Sequence, residues 1–332
     1  MSNIAPNRLK HEAELGSLGA YFALLKPRVM SLAIFTALCG QILALHNSPV
    51  HPVLFIISLL SIALGAGAAG CINMWYDRDI DPEMSRTDKR PVPLGIVSPN
   101  NALWFGISIS ILGVAWFLTM SNAVAAFWSG FSILFYVLIY TMWLKRRTPQ
   151  NIVIGGIAGS TPPLIGWAVA AADYTNNMNP LDLGSPIPWM LFALIFLWTP
   201  PHFWALALYR SGEYAKAEVP MMNEVRGARY TIKQSKIYCI LLLMLGSVPC
   251  FWPESGLPLL WAFVAGGLTL WYSMSVWAID PDESFDANGR MPKAAKSFFR
   301  SLYYLGWMFL LLVIICAIPP DSLGYLGPLS QN

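Results

Sequence analysis

Asn73, Asp77 and Asp81 recur at four-residue intervals in the stretch N-M-W-Y-D-R-D-I-D-P-E-M-S-R-T-D-K-R-P-V-P-L-G, residues 73 to 95. If a helix persists through them, at about 100° per residue they stay within roughly 80° of one another, stacked about 6 Å apart along the axis. One face then offers an amide and two carboxylates. Mg²⁺ takes one or two carboxylates together with waters and phosphate oxygens. Arg78, Arg86, Lys89 and Arg90 follow in the same stretch, and such cations share phosphate charge. The chemistry open to this set is the binding of a Mg²⁺-diphosphate. A mixed charge run is more often a solvated loop. Here the spacing is regular and the chain as a whole is only 12% charged. The run also follows directly on the apolar stretch Pro52 to Ile72, where ionisable groups are costly unless functional.

The elements that must position these residues are membrane spans. At 56% hydrophobic residues and a mean hydropathy of +0.52, the 332 residues cannot form an ordinary soluble domain. Apolar runs approaching the ~20 residues that cross the hydrocarbon occur nine times: Val29 to Leu45, Pro52 to Ile72, Ala102 to Met120, Ala123 to Leu144, Ile152 to Ala172, Pro188 to Tyr209, Ile237 to Phe251, Leu257 to Ala278 and Phe299 to Ile318. All 21 Lys and Arg fall in the N-terminal segment and in the second, fourth, sixth and eighth loops. That alternation predicts nine spans with a cytoplasmic N-terminus, because short cytoplasmic loops collect basic residues. The net charge of +3 then reflects topology and does not call for nucleic acid. The first residues carry neither the apolar core of a signal peptide nor transit-peptide character, so a bacterial inner (plasma) membrane is the expected home. The expected division is a cytoplasmic arm over 1–28, a transmembrane domain over 29–320 and a short periplasmic tail over 321–332. The five cysteines, Cys39, Cys71, Cys239, Cys250 and Cys316, are scattered through the spans and suggest no disulfide framework.

Other motifs sit on the spans. G-A-G-A-A-G at 65–70 is read as a surface for close helix packing. Pro162-Pro163 and Pro200-Pro201 are expected to kink or break their helices beside a cavity. Lys145, Arg146 and Arg147 are explained by topology, and holding a second anionic substrate stays open. His202, in W-T-P-P-H-F-W, lies inside the membrane. On a helix it shares a stripe within about 40° with Tyr209 and Glu213. A functional site and a satisfied polar group are both open for it. Residues 209–227 form a second charged loop four spans after the first, so two four-helix halves plus one helix are expected. The acidic loop 280–293 lacks helical or EF-hand spacing and reads as a solvated linker. His46 and His51 read as exposed and inert. Trp75, Trp198 and Trp204 lie where a flat hydrophobic substrate could stack.

These residues resemble the UbiA-type intramembrane prenyltransferases through Asn73-x-x-x-Asp77-x-x-x-Asp81 and the second charged motif. D-R-D-I-D-x-x-M-x-R-T-x-x-R-P, L-K-R-R-T-P-Q-N-I-V-I-G-G, W-T-P-P-H-F-W-A-L-A and E-Y-A-K-A-x-V-P-M are more narrowly similar to the protohaem IX farnesyltransferases. The resemblance spans about residues 20 to 315. It implies an all-α integral membrane fold of nine helices around a central cavity open to the cytoplasm. Mg²⁺ is the implied cofactor, and farnesyl diphosphate and haem b are the implied substrates. It further implies that Asn73, Asp77 and Asp81 bind the Mg²⁺-diphosphate, and it adds Glu213 to the metal set and Tyr214 and Lys216 to the diphosphate site, with Lys216 in the catalytic set. His202, with Tyr209, becomes the candidate haem contact, His202 touching the iron or orienting the macrocycle. Haem A synthase or oxidase assembly proteins are the implied partners. The chain departs from the family pattern at Glu213 (usually Asp), Glu218 (usually Gly) and Met222-Asn223 (usually Leu-Pro). Two other readings are a prenyltransferase for a quinone precursor, and a transporter, whose charged groups should lie near the bilayer midplane and not at its edge.

Overall fold

The sequence is written almost wholly as helices that alternate apolar interiors with polar ends. The structure, a computed structural model, describes residues 18–45, 50–171, 179–247, 259–286 and 290–318, and among them every regular element is helical. The main helices are α1 (Pro27–Ala44), α2 (Pro52–Tyr76), α3 (Pro99–Met120), α4 (Ala123–Leu134, continuing as a π-helix Phe135–Leu144), α5 (Asn151–Ser160), α6 (Pro162–Ala170), α7 (Ile187–Tyr209), the short α8 (Glu213–Lys216), α9 (Met222–Ser247), α10 (Leu259–Trp277) and α11 (Pro292–Cys316). Proline opens many of them at a position where its missing N–H costs nothing. Several hydroxyls inside the spans are satisfied on their own helix, as where Thr199 Oγ1 donates to Ile195 O at 2.7 Å.

Among the described residues, eight segments are long and apolar enough to cross a membrane, with α5 and α6 counted as one. The expected seventh span, Ile237 to Phe251, falls on the second half of α9 and on residues outside those described. Gly227, at φ 80° and ψ 163°, a conformation suited to glycine, sets off the first turn of α9 from the rest of the helix, where Arg229, Lys233 and Lys236 precede the apolar stretch. His46, Cys250, the arm before residue 18 and the tail over 321–332 also lie outside the described residues. His51 Nδ1 accepts from Val53 N at 3.3 Å and caps α2.

The two proline pairs behave differently. At Thr161 the helix is interrupted for one residue, which keeps φ −76° and ψ −26°, and Pro162 starts α6. Pro200 and Pro201, both buried, are carried inside a continuous α7, so the expected interruption does not occur there. Neighbouring helices can support a proline within a span where water is absent. Close packing at small residues is borne out. A Cβ on Gly67 would lie 2.8 Å from Leu25 Cδ2, and one on Gly70 would lie 3.3 Å from the Lys26 side chain, so these glycines let the segment before α1 press onto α2. α1 and α6 approach backbone to backbone: a Cβ on Gly166 would lie 2.1 Å from Ala37 O. No side-chain rotation relieves that clash. Gly166→Ala is expected to destabilise the protein by about 1–3 kcal/mol, the usual range for overpacking, read as a fall in thermal midpoint in detergent.

Candidate functional site

The acidic motif is reached at the end of α2. The helix stops at Tyr76 and Asp77 is its cap, yet Asp77 N donates to Asn73 O and Asp81 N to Asp77 O, each at 2.9 Å. The four-residue rhythm therefore survives past the formal helix end, before a 3₁₀ turn at Asp81–Glu83. Asn73, Asp77 and Asp81 are all buried. Asn73 Nδ2 donates to Asp77 Oδ2 at 2.7 Å and to Thr141 Oγ1 at 3.1 Å.

Buried carboxylates need partners, and the partners come from elsewhere in the chain. Lys26 Nζ donates to Asn73 Oδ1 at 2.5 Å. Lys145 is paired with Asp77 Oδ2, and Arg146 lies 3.4 Å from Asp77 Oδ1. Arg146 also grips Asp79 with two bonds of 2.7 Å. Arg90 NH1 reaches both oxygens of Asp81, at 2.9 and 2.8 Å. Four cations thus surround three carboxylates, Asp77, Asp79 and Asp81. Burial lowers the Lys26 pKa well below its usual value and Arg90 lowers it further, with Asp81 and Asp77 opposing. Burial likewise lowers Lys145, opposed by Asp77. The Arg146 hydrogen bond lowers Asp79 and raises Arg146. Cations crowded to this degree out of water favour an incoming anion.

Arg86 shares its surroundings with Tyr214, Tyr140, Asp81 and Tyr136. Arg78 turns away, its NH1 bonded to Trp75 O and its guanidinium over the Trp75 ring, and Lys89 is exposed. Lys26 was readable only as a basic residue ahead of a span. Its positive φ of 52°, sparsely populated by residues other than glycine, marks it in the structure. Thr141 and Lys145 are delivered by the π-helical end of α4, where Lys145 N bonds to Tyr140 O at 2.8 Å, five residues back. Such wide turns recur at functional sites, and no sequence pattern announces one.

The second motif packs against the first without joining its carboxylates. Tyr214, Ala217, Val219 and Met221 are buried in one cluster with Met84 and Ile152, while Glu213 Oε1 accepts from Ser85 Oγ at 2.7 Å and from Arg210 NH1 at 3.1 Å. Lys216 is exposed. Among the described residues no three His, Cys, Asp or Glu side chains gather as a metal cage. Mg²⁺ does not require one, since phosphate and water complete its shell. The all-oxygen set of Asn73, Asp77 and Asp81, with cations that could turn to phosphate, fits Mg²⁺ by donor chemistry. Glu218 has φ 53°, which explains why glycine suits that position. Glu218→Gly is expected to stabilise the protein by about 1 kcal/mol by releasing the left-handed strain, measurable as a higher thermal midpoint with activity retained.

His202 is buried on α7 between Trp198 (ring centroids 4.2 Å, 20°) and Phe298 (4.8 Å, 26°). Ser301 Oγ donates its single proton to Phe298 O at 2.6 Å, so it meets His202 Nδ1, 2.5 Å away, as an acceptor. The hydrogen-bond network therefore assigns the imidazole proton to Nδ1 and leaves the Nε2 lone pair available. Trp198 Nε1 donates to Ser301 O at 2.8 Å, so Ser301 ties α11 to α7 twice. Tyr209 lies at the loop end of the same stripe, stacked at 6.4 Å and 27° on Phe298. The acidic loop at 280–286 has structural partners: Asp282 pairs with Arg229 and Glu283 Oε2 accepts from Lys293 N at 3.1 Å at the start of α11.

The model of the UbiA prenyltransferase family matches residues 33–303. The chain belongs to the UbiA prenyltransferase family. The protoheme IX farnesyltransferase of Parvibaculum lavamentivorans is 46% identical over 305 residues, covering 91% of this chain and 90% of that one. The enzyme of the same name from Beijerinckia indica is 47% identical over 302 residues, covering 90% and 88%. Among solved structures, a digeranylgeranylglyceryl phosphate synthase superposes with a TM-score of 0.70 at 14% identity, covering 90% of this chain and 98% of that one. A UbiA homolog from Archaeoglobus fulgidus bound to DMAPP and Mg²⁺ superposes with a TM-score of 0.60 at 14% identity, covering 89% and 99%. At these identities the structural likeness speaks for the fold.

Proposed function

We propose that this UbiA-family protein transfers the farnesyl group of farnesyl diphosphate to a vinyl group of protohaem IX, releasing diphosphate and giving haem O for a terminal oxidase. The observation that carries this reading is the pairing of two unlike sites. A buried carboxylate set ringed by surplus cations stands at the membrane edge, and an intramembrane imidazole with a free Nε2 is sandwiched between aromatic rings. The relatives named protoheme IX farnesyltransferase support it. A phenolic quinone precursor would need the first site but gives no reason for the second. A transporter would want its charged groups at the midplane.

In this reading Lys26, Lys145, Arg146 and Arg90 receive the diphosphate as the allylic C–O bond breaks and its electron pair leaves with the phosphate. Preorganised charge at the point where charge develops is the largest single source of such rate enhancement. Asn73, Asp77 and Asp81 would hold Mg²⁺, which when bound supplies Lewis-acid neutralisation of the leaving group. Trp198, Phe298 and Phe203 around His202 keep water from the allylic cation until the vinyl carbon has attacked it. Water then adds to the cation left at the adjacent carbon and gives up a proton to solvent, leaving the hydroxyl. The cation-bearing loops contact one another, Arg146 with Asp79, Ser85 with Glu213 and Arg229 with Asp282, and we assign that end to the cytoplasm of a bacterial inner membrane by the positive-inside rule. The test is the haem extracted from cells with and without the protein. Haem O present only with it is the expected result; prenylated quinone changing instead, with haem unaltered, would overturn the reading.

A further inference from the structure

A second basic site lies apart from the acidic motif. Arg210, Lys216 and Arg290 line a cleft of about 310 Å³ together with Ser85 and Glu213. Glu213 is the sole carboxylate lining it, and its Oε1 is already engaged by Arg210 and Ser85. The Nε of Arg210 is buried without a partner, a donor whose desolvation is uncompensated. Arg290 is fixed in place: its N donates to Asp286 Oδ1 and Asp286 N to Arg290 O, each at 2.9 Å, while its NH1 donates to Tyr209 OH at 3.2 Å. The cleft therefore carries two positive charges beyond its one carboxylate.

Its location identifies the anion. Arg210 follows directly on α7 and Arg290 stands two residues before the start of α11, the two helices that carry His202 and Ser301. Both arginines flank Tyr209, with guanidinium carbons 5.6 and 5.5 Å from the ring centroid. From Tyr209 the rings step inward through Phe298 and His202 to Trp198, each pair within 27° of parallel. His202 lies eight residues from Arg210, roughly 12 Å along the helix. A flat apolar ligand seated on this ladder, with its metal at His202, would bring its polar edge to the arginines. Farnesyl diphosphate lacks a flat body, and its cations are gathered elsewhere, around α1, α2 and α4.

We propose that the Arg210–Lys216–Arg290 cleft binds the two carboxylates of the porphyrin acceptor, its propionates, and so selects a dicarboxylate macrocycle over an uncharged one. This rests on the haem reading above. The test uses the purified full-length protein in detergent, titrated by absorbance with haemin and with haemin dimethyl ester, whose propionates are uncharged. Wild type is expected to bind haemin on the order of tenfold more tightly than the ester, in line with a charge-assisted hydrogen bond. Arg290→Gln and Arg210→Gln should each lose most of that preference while binding the ester as wild type does, and Arg290→Lys should restore part of it. Equal wild-type affinity for acid and ester, or variants that weaken both alike, would overturn the proposal. So would variants that leave haemin unchanged and weaken a non-hydrolysable prenyl diphosphate, since the cleft would then serve phosphate. Failure of wild type to bind either porphyrin would remove the haem reading itself, a separate outcome.

Discussion

Asp77→Asn and Asp81→Asn are each expected to lower prenyl transfer by at least about a hundredfold, the scale expected when a group neutralising a developing charge is lost. The physical argument starts from what the pairs cost. Asp77 and Asp81 are buried, with Lys145, Arg146 and Arg90 against them. Buried ion pairs roughly break even against an apolar replacement, so the pairs at Asp77 and Asp81 are poorly explained as a stability device. They are explained if the cations exchange carboxylate for diphosphate while the carboxylates take the metal. Asparagine keeps the shape and removes the charge. It also leaves Arg90 or Lys145 without its partner, a loss that can cost about 3–5 kcal/mol. Membrane insertion and monodispersity in detergent must therefore be measured beside activity with Mg²⁺ and farnesyl diphosphate. Well-folded variants with full activity would sink the metal assignment. Lys26→Ala tests the other half: a raised KM for farnesyl diphosphate is expected, because Lys26 touches Asn73 and stands ready to turn to phosphate.

His202→Ala is expected to weaken haem binding or turnover by about 10–100-fold and to leave binding of farnesyl diphosphate unchanged. Ser301→Ala should reproduce a tenfold part of that loss, in the range found for groups that orient a metal-binding histidine. Ser301 acts as a positioning residue here, because its hydroxyl holds the proton on Nδ1 and so presents the Nε2 lone pair. Absorbance is the discriminating readout. A merely structural serine would lower stability without shifting the haem spectrum, whereas a serine that sets the tautomer of a haem-contacting His202 would shift it when removed. Ser301→Thr, which retains the hydroxyl, should recover the spectrum. Unchanged haem spectra and affinity in His202→Ala would return His202 to a packed polar group beside two prolines.

Much of this architecture follows from the sequence by itself, because the cost of a polar group in hydrocarbon is local and large. Hydropathy located eight of the nine expected spans among the described residues, the 21 Lys and Arg fall in alternate loops, and the four-residue spacing picked out Asn73, Asp77 and Asp81. Those three remain together although α2 ends at Tyr76, since the main-chain bonds at Asp77 and Asp81 keep the helical rhythm. His202 was visible as an imidazole inside a span. Its proton location was not, because Ser301 lies 99 residues away and is one serine among many. Lys26 and Lys145 lie 47 and 68 residues from their partners, and nothing in their neighbours distinguishes them from topological charge. The π-helical end of α4, the unbroken α7 through Pro200-Pro201 and the contact of Gly166 with Ala37 are likewise decided by packing. A side chain's partner is chosen by which helix faces lie against each other, and that choice belongs to the whole bundle.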